Sequence, residues 1–385
     1  MKVLLVPDSM KDCLSAIKAA RIMKEGVLEV FPFAEVISCP LSDGGEGLVE
    51  VLHEAGIGHK IAVDTEDPLG RNIQAFILEL KNKGEFLIEI AQAAGIQLLK
   101  ADERNPLNTS TRGVGLMIAH AINLGATKIY VGLGGSATHD LGCGMAEVLG
   151  AQFYNKENKI IRPTGGNLMD IFRVDADNLI KYNNVEFIGV SDVQSVLLGN
   201  EGAAYTFAMQ KGATSKSVEQ LEEGGQHLAC LFPKNNALIQ GSGAAGGLGF
   251  GLVTFLGGIL LNGLEVLSRL TLLDEKIRNA DIVLTLEGKT DAQTLLGKLP
   301  YSVALLAQKY NKCAIHYTGW WDSNIANKVS HPFNVVVPIQ DKPMNVEESI
   351  EQTPVLLKAA VIRSFRLMKI GSSFNRSMGT VTKKG

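Results

Sequence analysis

Cysteine is sparse in this sequence and nowhere paired: five residues, at 13, 39, 143, 230 and 313, with no CxxC spacing. An odd, scattered set excludes a disulfide framework and a four-cysteine zinc site, and fits reduced thiols. Proline is equally thin, 12 residues against 41 glycines, so neither a collagen-like repeat nor a proline-rich chain is present. Positive charge shows no surplus: 37 Lys and Arg face 40 Asp and Glu, for a formal net charge of -3. That balance leaves no electrostatic footprint for nucleic acid or an anionic membrane, and neither partner is expected. Only four apolar residues lie between Lys2 and Pro7, too few for a signal-peptide core, so a cytoplasmic location is expected. One charge-free stretch, 235–264, is long enough to invite a membrane reading. Its nine glycines instead describe a backbone-rich loop entering a buried helix.

What is present is material for a core. Apolar residues make up 46% of 385 positions and charged residues 20%, which excludes disorder, and the length suggests two domains. Short β-rich runs alternate with helical patterns: VLLV at 3–6, EVISCPL at 35–41, KIYVGL at 128–133, VEFIGV at 185–190, DIVLTL at 281–286 and FNVVVPI at 333–339. That rhythm predicts an α/β fold with a largely parallel sheet. After the first run, Ala16, Ala20, Met23, Val27 and Phe31 recur at helical spacing opposite Lys18, Arg21, Glu25 and Glu29, with Ser15 as N-cap. Between 60 and 100 the texture changes: NIQAFILEL and EFLIEIA flank Lys-Asn-Lys-Gly, a β-hairpin pattern. The return of β-α rhythm near Asp281 implies a middle segment inserted into a domain made of both chain ends. The expected division is 1–62 plus 264–370 around an inserted 63–263, with 371–385 a loose polar tail.

Chemistry-bearing residues gather where glycine and a carboxylate follow a strand, the edge at which α/β sheets bind ligands. Ser42-Asp43-Gly44-Gly45-Glu46-Gly47 precedes a helical run and could hold phosphate on N–H groups and magnesium on oxygen, or simply cap a helix. Asp192 after VEFIGVS shares that ambiguity. Gly134-Gly135-Ser136-Ala137-Thr138-His139-Asp140 could wrap an anion. His139 has no second histidine at ligand spacing and is given no metal role.

Three nucleotide signatures fail or weaken. Gly288-Lys289-Thr290 ends like a Walker A motif, but Val283 stands where that motif needs glycine. Gly241-Ser242-Gly243-Ala244-Ala245-Gly246 is a literal GxGxxG with Glu265 beyond it, yet no good strand precedes it, so N–H groups facing phosphate without a nicotinamide fit better. No HRD or DFG set marks a protein kinase. Lys11, Arg112, Lys211 and Lys298 flank these turns, and with Asp43, Asp192, Glu287 and Asp291 they supply the parts of phosphoryl transfer. The residues alone thus point to an enzyme handling a small phosphorylated or carboxylated ligand.

At these same places the chain resembles the bacterial glycerate kinase family, the kind that makes 2-phosphoglycerate. PDSMKDCLSA at 7–16, SDGGEGL at 42–48, ERNPL at 103–107, AMQKGAT at 208–214 and GSGAAGGLG at 241–249 carry the likeness, in order, to about residue 340. The resemblance implies a Rossmann-like domain with an inserted α/β domain and a site in the cleft between them. It implies ATP and Mg2+ as cofactors, D-glycerate as substrate, and leaves room for a homodimer. Under it Asp192, Lys11 and Asp43 are expected as catalytic groups. Ser9, Gly44, Gly45, Arg112, Gly135, Ser136, Lys211, Gly243, Gly246, Gly247 and Lys298 are expected to bind substrate or phosphate, and Asp291, Glu287 and Asp140 the metal. His139, Leu141, Ser195, Val196, Leu286 and Ser302 depart from the family pattern. Those departures keep open a weakened, ligand-binding paralogue, or a kinase of another small hydroxy acid.

Overall fold

The structure, a computed structural model, describes residues 1–10, 13–41, 47–292, 294–296, 298–322 and 332–381. Its strands are β1 (Lys2–Pro7), β2 (Glu35–Ser38), β3 (Gly58–Glu66), β4 (Asn72–Leu80), β5 (Glu85–Glu89), β6 (Lys128–Gly132), β7 (Gln152–Tyr154), β8 (Arg173–Asp175), β9 (Glu186–Val190), β10 (Ile259–Leu261), β11 (Ile282–Thr290), β12 (Cys313–Trp321) and β13 (Val335–Pro338). The chain divides into two compact units, Met1–Ser42 with Leu267–Gly385, and Asp43–Val266.

The unit made of both chain ends holds a five-stranded, all-parallel sheet in the order β13-β12-β11-β1-β2. Val3, Leu4, Leu5 and Val6 are all fully buried, which is why β1 is a continuous apolar run rather than an alternating one. The helix Ala16–Val30 turns Ala19, Met23 and Val27 into the core, and the Ser15 hydroxyl accepts from the Lys18 N–H at 3.3 Å as its N-cap. Against it lies the last helix, Val346–Val381, through Leu357, Val361 and Phe365. Gly26 permits the approach: a Cβ there would stand 2.9 Å from Val361 Cγ1. Phe365 also meets Phe31 edge-on at 6.1 Å. This helix corrects the expected loose tail, since its backbone stays helical to Val381. Once a packed helix has nucleated, adding residues to its end costs little.

The other unit holds a six-stranded mixed sheet, β10-β9-β6-β5-β4-β3. Its β10, β9, β6 and β5 run parallel, and β4 and β3 close it antiparallel. The β4–β5 hairpin is the one expected from NIQAFILEL and EFLIE. β7 and β8 form a separate antiparallel pair. The N-terminal join falls earlier than residue 62 because β3 pairs with β4 along its whole length, Gly58 opposite Leu80 to Glu66 opposite Asn72. The helix Leu48–Glu54 goes with it: the Gly47 and Val49 N–H groups donate to the Glu89 carboxylate at 2.7 and 3.0 Å.

Phe365→Ala should cost about 3–5 kcal/mol of stability, the usual cost of emptying a buried aromatic site. Urea unfolding, followed by fluorescence of Trp320 and Trp321 on β12 of the same unit, checks it. A loss below about 1 kcal/mol would mean that the last helix does not pack as described.

Candidate functional site

In the Asp43–Val266 unit, β6 leads into the turn 134–140, held by its backbone before any side chain acts. Gly135 takes a left-handed φ of 69°. Its carbonyl accepts from Ile96 N–H at 2.9 Å, and Ala137 N–H donates to the Ala94 carbonyl at 2.7 Å. Asp140 then locks the turn. Its Oδ2 accepts from Ser110 Oγ (3.2 Å), Thr111 N (2.7 Å), Thr111 Oγ1 (2.9 Å) and Gly144 N (3.1 Å), and its Oδ1 from Gly142 N (3.2 Å). The residue is fully buried, and burial raises its carboxyl pKa against the pull of those donors. Asp140 was expected as a metal ligand; saturated with internal donors and cut off from solvent, it is a structural carboxylate instead.

Lys211 is the group this turn receives. Only 3% exposed, it donates from Nζ to Ser136 Oγ at 2.8 Å and to the Thr138 carbonyl at 2.9 Å. No carboxylate lies within ion-pair distance of it among the described residues. Burial pushes its ammonium pKa down to about 7, against the opposing charge of Asp140. His139 is held down to about 3 by burial and by Lys211, so it stays neutral.

Tight backbone packing brings further segments here. A Cβ at Gly212 would stand 2.1 Å from the Arg104 carbonyl oxygen, and one at Gly165 would stand 2.3 Å from that of Pro106 and 2.9 Å from that of His139. Residues 104–107, 134–140, 165 and 211–212 therefore converge. Around them Thr138 Oγ1, His139 Nδ1 and Arg104 Nε are buried without a hydrogen bond. Donors and acceptors left dry and unpaired are costly unless a ligand or water completes them. Arg104 and Thr138 were not singled out as site residues, although ERNPL and GGSATHD contain them. Gly165 carried no signal in the sequence.

Several other expected anion-binding groups are engaged elsewhere. Arg112 pairs with Glu66 at 3.1 Å and Glu147 at 2.8 Å and bridges the two carboxylates. The start of the helix Leu48–Glu54 is capped by Glu89, whose carboxylate accepts from the Gly47 and Val49 N–H groups. Gly243, Gly246 and Gly247 face protein backbone and side chain, not an open loop. Gly243 N–H donates to the Ser195 carbonyl at 3.0 Å, and a Cβ on Gly246 would lie 2.0 Å from the Thr138 carbonyl oxygen. Ala245, Gly246 and Gly247 run through three successive left-handed residues, at φ 54°, 65° and 83°.

Leu141 also adopts a left-handed φ, 56°, with its side chain fully buried against Gly247. The strain of about 1–2 kcal/mol is smaller than the roughly 2–5 kcal/mol carried by a buried leucine. Leu286 is plain β11 core.

In the unit made of both chain ends, the end of β11 gathers the other expected groups. Glu287 is 5% exposed, and its Oε1 has no hydrogen bond, though it lies 3.2 Å from His316 Nε2. Asp291 faces Lys289 at 3.2 Å and Lys298 at 3.9 Å. Ser9 N–H donates to Asp8 Oδ1 at 2.7 Å. Lys11, Asp43, Gly44 and Gly45 lie outside the described residues. Asp192, in the other unit, is exposed after β9 and accepts at Oδ1 from Gly263 N–H at 3.0 Å. Among the described residues no three His, Cys, Asp or Glu side chains cluster as a metal cage. Magnesium in kinases uses one or two carboxylates plus substrate phosphates. Glu287, with a dry unpaired oxygen, and Asp291 fit that use.

Lys211 gives a pH signature. Unfolded, a lysine binds its proton up to about pH 10.4; folded, Lys211 gives it up near 7. Between these values the unfolded chain holds the extra proton, so stability rises with pH, by at most about 1.4 kcal/mol per pH unit. Urea unfolding from pH 6.5 to 9 should show this rise for wild type less Lys211→Met. Identical profiles would remove the buried, depressed lysine from the account.

Residues 3–369 match the glycerate kinase family. A glycerate kinase of Bacillus cereus is 37% identical over 356 residues, covering 91% of this chain and 93% of its own. A glycerate 2-kinase of Escherichia coli is 36% identical over 345 residues, 88% of this chain and 90% of that one. A crystal structure from Salmonella typhimurium LT2, described as a glycerate kinase 2, superposes with a TM-score of 0.83 at 32% identity over 97% of this chain and 99% of that one. The family match over residues 3–369 and relatives 36–37% identical over most of both chains make this chain a member of the glycerate kinase family, and a kinase.

Proposed function

We propose that this kinase transfers the γ-phosphoryl group of ATP to D-glycerate and that the product is 2-phosphoglycerate. The observation that carries the reading is the near full-length similarity to a relative named glycerate 2-kinase. The chemistry of Lys211 supports it. A lysine kept in a dry turn on two neutral oxygens gains a counter-ion when a small carboxylate binds, and the cost of burying its charge falls. On this reading Lys211 and Ser136 take the glycerate carboxylate, and Asp192 serves as the base that accepts the substrate hydroxyl proton. Glu287 and Asp291 would hold magnesium, with Lys298 beside them for phosphate. Magnesium, when bound, neutralises charge developing on the transferred group.

The alternative of a weakened paralogue draws on the altered turn positions. Leu141 argues against it, because it keeps the left-handed backbone that a glycine would adopt there. Five free cysteines fit a reducing, cytoplasmic setting. No helix among the described residues is long and apolar enough to cross a membrane.

Two measurements test the proposal. Phosphorus NMR of the product should show phosphate on C2 of glycerate; phosphate on C3 would contradict the regiochemistry, and no turnover of D-glycerate would contradict the activity. Asp192→Asn should keep the melting temperature and lose about 100- to 10,000-fold in kcat, the usual effect of removing a positioned base. Unchanged kcat would move the base elsewhere.

A further inference from the structure

At the carboxyl end of the parallel sheet, beneath Glu287, lies a set of polar groups that neither the sequence motifs nor the proposed chemistry uses. His316 on β12 is fully buried, directly opposite Thr285 on β11. Its Nδ1 is 2.8 Å from Thr285 Oγ1 and its Nε2 is 2.9 Å from Thr290 Oγ1. The protons along this chain can be placed by elimination. Thr318 Oγ1 lies 2.7 Å from the Trp320 carbonyl, which can only accept, so the Thr318 proton goes there. Thr290 Oγ1 donates to Thr318 Oγ1 at 2.8 Å, so its single proton is also spent. Thr290 must then accept from His316, which places a hydrogen on Nε2. Thr285 Oγ1 is the partner of the other ring nitrogen, Nδ1.

The ring is therefore fixed at both nitrogens, and Phe333 fixes its plane by stacking at 4.4 Å and 18°. Glu287 Oε1 lies 3.2 Å from that same Nε2, but the N–H is directed at Thr290, and the oxygen makes no hydrogen bond. The histidine thus presents a rigid positive edge to a buried carboxylate oxygen without using up its acceptor capacity. A wholly dry strand position filled by a histidine and three hydroxyls is a costly way to pack a core, and an apolar residue would serve packing alone.

We propose that His316 is a positioning residue for the kinase reaction, holding the Glu287 carboxylate in place for the cation and phosphates that Glu287 meets. It is too deeply buried to touch a ligand and acts through Glu287. The proposal rests on the reading that Glu287 belongs to the magnesium-nucleotide site, and the test separates the two. Groups that orient a ligating side chain in this way are typically worth 10- to 100-fold in affinity or activity.

The experiment compares kcat and KM for magnesium-ATP and for D-glycerate in Glu287→Gln, His316→Phe, His316→Gln and the double variant Glu287→Gln/His316→Phe, with melting temperatures alongside. His316→Phe keeps the aromatic stack and removes both nitrogens; His316→Gln keeps a donor near Nε2. The expected result is a 10- to 100-fold fall in kcat/KM for magnesium-ATP in His316→Phe, with KM for D-glycerate unchanged. His316→Gln should recover to within about threefold of wild type, and His316→Phe should have little further effect once Glu287→Gln is present. If Glu287→Gln is impaired but His316→Phe matches wild type, or if His316→Gln falls as far as His316→Phe, the positioning role is overturned. If Glu287→Gln matches wild type, the reading of Glu287 fails, and the proposal with it. Should His316→Phe not fold, His316→Leu removes both nitrogens from the same buried position and must give the same kinetic split.

Discussion

Asp140 has been taken wholly out of water, and five donors from Ser110, Thr111, Gly142 and Gly144 converge on its two oxygens. A buried carboxylate is tolerable only with such a set, and removing any member exposes a cost of a few kcal/mol. The helices Arg112–Asn123 and Cys143–Leu149 both begin at this carboxylate, so their entry points are fixed by it. The crowding leaves no room for a side chain at Gly144, where a Cβ would stand 2.1 Å from Ser110 Oγ. Thr138 and Ser136, one turn back, are thereby placed to receive Lys211. Asp140 is also the negative charge that partly offsets the burial of that lysine. The dry setting of Lys211 thus traces back to a buried carboxylate.

The unit made of both chain ends works on a different principle. Its sheet is parallel throughout, so the ends of β11 and β12 lie side by side, and the polar residues there share one edge. Thr285 and Thr290 from one strand and His316 and Thr318 from the next form a hydrogen-bonded chain beside Glu287, in which the Trp320 carbonyl sets the direction from Thr318 through Thr290 to Nε2. Among these residues only Glu287 carries an oxygen still short of a partner. That deficit, at the edge where such sheets bind ligands, is the physical reason to associate Glu287 with a cation.

Much of the architecture was legible in the sequence because it is local. The apolar runs became strands, Ser15 capped its helix, and Lys-Asn-Lys-Gly turned a hairpin. Family resemblance added the kinase activity class, which spacing alone could not reach. What stayed hidden depends on partners remote in sequence. Lys211 looks like any surface lysine until Ser136, 75 positions away, is found beside it. Glu89 is an ordinary strand end until it occupies the N-terminus of a helix 40 residues earlier. Gly243, Gly246 and Gly247 read as a phosphate loop because glycine that meets a ligand and glycine that meets another backbone look alike in sequence. The acid of the 134–140 turn misled for the same reason: pattern shows an oxygen ligand but not who has already taken it.

The central claim is that glycerate supplies the counter-ion for a buried lysine that is largely neutral above neutral pH. Calorimetric titration of D-glycerate at pH 8, repeated in buffers of different ionisation enthalpy, measures the proton change on binding directly. The account predicts uptake approaching one proton by wild type, because a carboxylate beside Nζ raises the Lys211 pKa, and no uptake by Lys211→Met. Binding of equal affinity by both proteins without proton uptake would contradict it.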